Sequence, residues 1–204
     1  MIKGIESLNV IGICGSLRDG SYTRMALSIA LQGAGELGAD TRILDLGDYD
    51  LIFADGRDAP YPVGVQRLRD DVRAANGIII ATPEYHSGMS GALKNALDLM
   101  GFDEFGGKML GLIGVSGGAM GAVNALNSLR AVGRSLHAWV IPQQVTVPQG
   151  WKVFNEKGQL EDAETRERLL EVGRQVSRFA FLHSSHEVQE FLRLWEQAPP
   201  NPGG

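Results

Sequence analysis

The 204-residue chain has the size of one domain with a sizeable core, and hydrophobic residues make up an ordinary 44% of it. A formal net charge of −5 argues against a nucleic-acid partner. The single cysteine, Cys14, excludes an intrachain disulfide. No signal peptide is recognised, and no apolar run approaches the ~20 residues of a membrane span. We therefore expect a cytoplasmic protein with no membrane span.

Hydrophobic patterns along the chain alternate between short apolar runs and segments with helical spacing. The runs predict five strands, at 8–14, 39–46, 78–82, 109–115 and 137–141. The periodic segments predict helices at 22–37, 63–76, 88–100, 118–133 and 161–182. This alternation is typical of an α/β fold with an open, doubly wound parallel sheet, in which ligands bind at the carboxyl ends of the strands.

The loop between the first strand and the first helix carries three hydroxyls, Ser16, Ser21 and Thr23, and one cation, Arg18. Free amides at a helix N-terminus, hydroxyl donors and a guanidinium together suit a phosphate. The alternative is an ordinary strand–helix turn in which Ser21 or Thr23 caps the helix. That alternative leaves the number of hydroxyls and the arginine unexplained, so we favour phosphate binding.

Two more unusual segments follow the third and fourth strands. The first, 82–91, contains Pro83, Tyr85 and His86, which offer a fixed strand exit and flat side-chain surfaces. The second, 116–121, is rich in glycine and lets a flat ligand approach the backbone. A phosphate site, an aromatic turn and a glycine turn on adjacent strand ends indicate a mononucleotide site, with a flavin favoured over an adenine nucleotide.

At these positions the chain resembles the NADPH-dependent FMN reductases of flavodoxin-like fold, which include quinone, chromate and azo-dye reductases. The pattern Gly-Ser-x-Arg-x-x-Ser-x-(Asn/Thr) is matched at 15–23, and Pro-Glu-Tyr followed by Gly-x-Leu-Lys-Asn-Ala-x-Asp is matched at 83–85 and 91–98. Gly117 and Gly118 match a third motif. The resemblance spans about 8–142. Thr23 and His86 stand where Asn is common, and Ser90 stands where Pro is common.

The resemblance implies a five-stranded parallel sheet of order 2-1-3-4-5 with helices on both faces. It implies FMN as cofactor and NADPH as donor, with NADH possible, and a small-molecule electron acceptor such as a quinone, free flavin, azo compound or metal oxyanion. Backbone amides of 116–118 are expected near the reduced flavin. A homodimer or homotetramer is also implied. The cofactor-binding residues implied are Ser16, Arg18, Ser21, Tyr22, Thr23, Pro83, Glu84, Tyr85, His86, Ser87, Gly88, Ser116, Gly117 and Gly118.

No side chain is assigned as catalytic and none as a metal ligand. His86 or Tyr85 could protonate a quinone product or act only as a stacking wall. Glu84 is expected to make a structural hydrogen bond, and Arg130 either meets an NADPH phosphate or lies on a solvated face. The non-enzyme alternative is a flavodoxin-like electron carrier, which would need an acidic face to bind its partners. The modest net charge of the chain and the motif at 93–98 argue against this alternative.

Two further features concern glycines and the C-terminus. Gly33-x-Gly35-x-x-Gly38 matches a dinucleotide-binding pattern but follows a helix rather than a strand, so we interpret it as a helix end. Residues 1–182 form the predicted FMN-binding domain. Residues 183–204 add a C-terminal helix and a flexible tail to the same domain.

Overall fold

The computed structural model describes residues 8–57, 59–155 and 157–197. Its strands are β1 (Asn9–Cys14), β2 (Asp40–Asp45), β3 (Gly77–Tyr85), β4 (Gly88–Met89), β5 (Met109–Val115) and β6 (Trp139–Val147). Its α-helices are α1 (Tyr22–Gly35), α2 (Val63–Arg73), α3 (Gly91–Asp98), α4 (Phe102–Phe105), α5 (Val123–Ser135), α6 (Gly150–Val153), α7 (Ala163–Ser184) and α8 (His186–Glu196). The C-terminal tail 198–204 and the first seven residues lie outside the described residues.

The main sheet runs β2-β1-β3-β5-β6, and all four of its strand pairs are parallel. The short β4 pairs antiparallel with the end of β3 and forms a hairpin outside this path. With β4 set aside, the predicted five-stranded sheet and its order are confirmed. Strand order reverses between β1 and β3, so their carboxyl ends flank the crevice where such sheets bind ligands.

Helices cover both faces of the sheet, as predicted. One buried cluster joins α1 and α7 to the sheet, and the other joins α2, α3 and α5 to its opposite face. On the first face, α1 and α7 cross in backbone contact at Gly33 and Gly173. A Cβ on Gly33 would lie 2.0 Å from the Leu170 carbonyl oxygen, so only glycine fits at this crossing. Gly33 is thus a packing residue inside α1.

The last strand is longer than predicted. The prediction ends it at Ile141, before Pro142, yet β6 runs to Val147. Because β6 is an edge strand, it can contain a proline at a bulge. The register shifts opposite 110–112 of β5, which accommodates Pro142 in a bulge. The Arg130 guanidinium holds this bulge by donating to the carbonyls of Ile141 and Pro142 (3.0 and 2.8 Å) and to Gln144 Oε1 (2.6 Å). Arg130 therefore has a structural role at this bulge.

The C-terminal helix of the predicted 183–204 segment is present as α8, separated from α7 by Ser185 alone. Ser185 Oγ accepts from the Val188 N–H (3.3 Å) and so caps the start of α8. Phe191 and Leu194 on this helix are largely exposed. Among the residues that the structure describes, no helix is long and apolar enough to cross a membrane.

Candidate functional site

A cavity of about 270 Å³ opens at the carboxyl ends of β1, β3 and β5. It brings together segments that lie far apart in sequence. Ten of the fourteen residues implied as cofactor-binding line it, namely Ser16, Arg18, Ser21, Tyr22, Thr23, Pro83, Glu84, Tyr85, Ser116 and Gly117. The other lining residues are Gly20, Val115, Gly150 and Trp151. The structure does not place His86, Ser87, Gly88 or Gly118 in the lining.

The three hydroxyl residues of the first loop are buried and line this cavity. Ser16, Ser21 and Thr23 are 6%, 7% and 3% exposed. Ser21 Oγ accepts from the Thr23 N–H (3.2 Å) and caps α1, so the capping alternative is realised within the same loop. Ser16 Oγ accepts from the Arg18 N–H (3.4 Å). None of the three hydroxyls donates a hydrogen bond to another described residue, so all three protons are available to a ligand.

Ser90 connects this loop to the third helix. Its hydroxyl donates to the Gly15 carbonyl (2.5 Å) and accepts from the Leu93 N–H (3.2 Å), which makes it the N-cap of α3. The Ser90 N–H in turn donates to Thr82 Oγ1 at the end of β3 (3.1 Å). A serine at this position thereby fixes the start of the hydroxyl loop relative to β3 and α3.

The aromatic turn after β3 is a two-residue hairpin. Tyr85 pairs with Gly88, and the tip residues His86 and Ser87 have φ values of 49° and 63°. Positive φ at both central residues is the geometry of a type I′ turn, which usually carries Asn or Gly. Tyr85 lines the cavity, whereas the exposed tip holds His86 outside its lining. Of the two proton donors considered, only Tyr85 is at the cavity.

The Glu84 carboxylate makes a structural hydrogen bond to a helix. Its Oε2 accepts from the Ala125 N–H (2.9 Å) in the first turn of α5, a helix whose N-cap residue Ala122 provides no side-chain cap. A carboxylate at this end of a helix is stabilised by the free amides and the helix dipole. The structural hydrogen bond expected for Glu84 is therefore present.

In the glycine turn after β5, some of the backbone N–H groups are free and one is already hydrogen-bonded. The Ser116 N–H donates to the Val147 carbonyl (3.0 Å), so it is not available to a ligand, contrary to the expectation for the whole 116–118 segment. The N–H groups of Gly117 and Gly118 donate to no residue that the structure describes. A Cβ at either glycine would meet nothing within 4 Å, so the space beside them is open.

Comparison with known proteins agrees with this site. The family model described as NADPH-dependent FMN reductase matches residues 8–152. The chain belongs to this family. An NAD(P)H-dependent FMN reductase of Pseudomonas aeruginosa is 34% identical over 167 residues, which cover 79% of this chain and 89% of that protein.

Solved structures extend this agreement to the fold of the reductase. The flavoenzyme NAD(P)H:(acceptor) oxidoreductase FerB of Paracoccus denitrificans superposes with a TM-score of 0.71 at 25% identity, covering 86% of this chain and 98% of that one. A flavodoxin from the domain Archaea gives 0.60 at 11% identity, covering 85% and 99%. The fold of this reductase is therefore flavodoxin-like.

The residues present fit the phosphate and the ring of FMN. The cavity is lined by Arg18 and by three buried hydroxyl residues that donate to no described residue, and a dianionic phosphate needs donors of this kind. The open backbone of Gly117 and the exposed ring of Tyr85 line the same cavity, where a flat ring needs close approach and an apolar wall.

Of the four lining residues outside the implied set, Gly20 lies within the matched loop 15–23, whereas Val115, Gly150 and Trp151 were missed. Gly150 and Trp151 follow β6. Because that strand was predicted to end six residues early, these two residues were not predicted to lie at the cavity. The available signal was general: residues after the last parallel strand belong to the same edge of the sheet as those after the others. No local motif marks Trp151.

Proposed function

We propose that this reductase binds FMN in the strand-end cavity and passes a hydride from NAD(P)H through it to a flat small-molecule acceptor such as a quinone, a free flavin or an azo compound, or to a metal oxyanion. The activity class, FMN-dependent NAD(P)H oxidoreductase, follows from the family. The observation that carries the site is the meeting of the hydroxyl loop, Tyr85 and the glycine turn in one cavity.

Bound FMN would supply the hydride chemistry at its ring, and the protein would supply orientation and electrostatics. Ser16, Ser21, Thr23 and Arg18 would hold the phosphate through charge-assisted hydrogen bonds. The free N–H groups of 117–118 would face developing negative charge at the ring edge. No lining side chain is needed as an acid–base catalyst in this proposal.

The exposed aromatic rings at the cavity favour flat acceptors. Tyr85 and Trp151 are 50% and 57% exposed while lining the cavity, so each has ring surface available to a second planar molecule. Aromatic faces of this kind stack with conjugated rings. The aromatic rings therefore favour binding of quinones, flavins and azo compounds over binding of a metal oxyanion. An oxyanion does not need to stack, because it could be reduced by electron transfer alone.

The activity is tested by mixing the purified protein with FMN and then adding NADPH or NADH anaerobically. Rapid bleaching of bound flavin is the expected result and identifies the donor. Flavin that binds but is bleached only by a chemical reductant would instead support the electron-carrier alternative. A protein that leaves FMN entirely free would contradict the proposed site.

The phosphate assignment is tested by Arg18→Ala. A charge-assisted hydrogen bond contributes about 1.5–3 kcal/mol, so FMN affinity should fall by about 10- to 150-fold. Arg24→Ala is the matched control, because Arg24 lies in the first turn of α1, directly after the loop, and pairs with Asp45 outside the cavity lining. Equal FMN dissociation constants for Arg18→Ala and the wild type would refute the assignment.

The cytoplasmic location and the homodimer or homotetramer are parts of the same proposal. The exposed apolar residues Phe53 (86%) and Val63 (87%), near the ligand side of the sheet, support an assembly that covers them. Analytical ultracentrifugation across a range of concentrations tests it. A monomer at all concentrations would count against it.

A further inference from the structure

Each of the three carbonyls of the glycine turn 116–118 accepts a hydrogen bond from the segment that follows β6. The donors are three consecutive residues of that segment, one for each carbonyl. The Gly150 N–H donates to the Ser116 carbonyl (3.1 Å), and the Gln149 N–H donates to the Gly118 carbonyl (3.2 Å). The remaining carbonyl, that of Gly117, accepts from the indole Nε1–H of Trp151 (3.2 Å). Trp151 is the only side chain among these three donors.

This arrangement determines where the amides of the turn point. In a trans peptide the carbonyl of one residue and the N–H of the next point in opposite directions. Because the Ser116 and Gly117 carbonyls face the 149–151 segment, the N–H groups of Gly117 and Gly118 face away from it. These are the two amides that have no acceptor within the described part of the chain.

The peptide whose carbonyl accepts from Trp151, between Gly117 and Gly118, is also the one in the turn whose plane could rotate most easily. It joins two glycines, neither of which has a side chain to restrict rotation. Both have open space beside them. The turn has an internal hydrogen bond, from Ser116 Oγ to the Gly118 carbonyl (2.9 Å), but that bond does not hold the Gly117 carbonyl. Among the described residues, the indole of Trp151 is the donor that does.

We propose that Trp151 is a positioning residue: its indole N–H holds the Gly117 carbonyl out of the cavity, so that the Gly117–Gly118 amides are presented to the edge of the bound flavin ring. The inference rests on the proposed function. Its consequence is electrostatic, because amide donors stabilise the negative charge of the reduced flavin whereas a carbonyl oxygen would repel it. Trp151 thereby favours binding of reduced over oxidised FMN.

The test compares Trp151→Phe, which keeps an aromatic ring and deletes the donor, with the wild type and with Lys152→Ala. Lys152 is the control, because its Nζ lies 5.0 Å from the Trp151 ring centre but does not contribute to the turn. The readouts are the dissociation constant for oxidised FMN and the midpoint potential of bound FMN, measured by reductive titration against a reference dye.

For Trp151→Phe we expect affinity for reduced FMN to fall about tenfold relative to affinity for oxidised FMN, which should stay within about threefold of the wild type. For a two-electron couple that difference is about 30 mV toward more negative potential. Lys152→Ala should not move the potential by this amount. A Trp151→Phe potential equal to that of the wild type would overturn the inference, whatever the effect on turnover.

A second measurement does not require flavin. In the FMN-free wild type, ¹⁵N NMR should show the Trp151 indole N–H exchanging with solvent more slowly than that of a free indole, as a hydrogen-bonded donor should. Free-indole exchange there would overturn the inference even if Trp151→Phe fails to fold. A wild type that binds no FMN would overturn the proposed function and this inference together, whereas an unchanged potential overturns only the latter.

Discussion

Two glycines two residues apart on α1 should respond oppositely to the same substitution. Gly33 lies at the crossing with α7, where a Cβ would sit 2.0 Å from the Leu170 carbonyl oxygen and 2.7 Å from its carbonyl carbon. Gly35 has nothing within 4 Å of the same position. The pair therefore separates helix propensity from close packing in a single element.

The expected change in the free energy of unfolding depends on which atoms must move to make room for the new Cβ. Contacts under 3.0 Å are essentially never seen for a real Cβ, so Gly33→Ala must push the α7 backbone away by about 1 Å. Overpacking usually costs about 1–3 kcal/mol. Because the neighbour is backbone rather than the end of a flexible side chain, we expect the upper end, about 3 kcal/mol. Gly35→Ala should stabilise by up to about 0.5–1 kcal/mol through helix propensity.

Thermal and urea unfolding at one fixed FMN concentration would measure both variants. For a chain of this length 1 kcal/mol is worth about 2–4 °C, so Gly33→Ala should lower Tm by about 6–12 °C and Gly35→Ala should raise it slightly. If Gly33→Ala changed the free energy of unfolding by less than about 0.5 kcal/mol, the backbone contact between α1 and α7 would be refuted.

Three further predictions concern single side chains. Ser90→Ala should cost about 2–3 kcal/mol in urea unfolding, because it removes a helix cap and leaves the Gly15 carbonyl without its donor; an unchanged midpoint would contradict this role. Burial acts to raise the pKa of Asp71, but hydrogen bonds from Tyr49 and from an arginine on β2 outweigh it and hold that pKa below its usual range. A carboxyl of this kind contributes stability at neutral pH that is lost as pH falls through its folded pKa. Asp71→Asn should therefore lower the free energy of unfolding more at pH 7 than at about pH 3, whereas equal losses would contradict the assignment. Burial also raises the pKa of the Cys14 thiol, so a thiol reagent at about pH 8 should label the unfolded protein quickly and the native protein slowly; equal rates would show that Cys14 is accessible.

The fold and the phosphate loop could be predicted because their signals are local. Apolar runs and helical spacing gave the strands and helices of the sheet, and β5 matches its predicted bounds at both ends. The hydroxyls of Ser16, Ser21 and Thr23 lie within eight residues of one another, on a single strand–helix connection. Such a connection faces the ligand side of any parallel sheet, so no tertiary information was needed to group them.

Element boundaries failed where a backbone detail overrode a local rule. Helix α3 begins at Gly91 rather than at 88, because Gly88–Met89 pairs back on β3 through the type I′ tip. Helix α5 begins at Val123 rather than at 118, because the glycine turn continues to Gly121, where φ is 72°. In both cases the extra residues belong to the segment that connects a strand of the main sheet to the following helix.

The missed part of the site has a single physical origin. Pro142 indicates the end of a strand, but the Arg130 side chain satisfies the carbonyls that the bulge at Pro142 releases, and β6 continues to Val147. Those added residues carry Gln149, Gly150 and Trp151 to the carboxyl edge of the sheet, where they take the carbonyls of the glycine turn. The hydrogen bonds of Arg130 at the bulge thus hold the strand whose continuation leads to Trp151 at the cavity. Because the donors to the carbonyls of the turn come from 149–151, the glycine motif alone could indicate where a flat ring approaches but not which amides would be free to meet it.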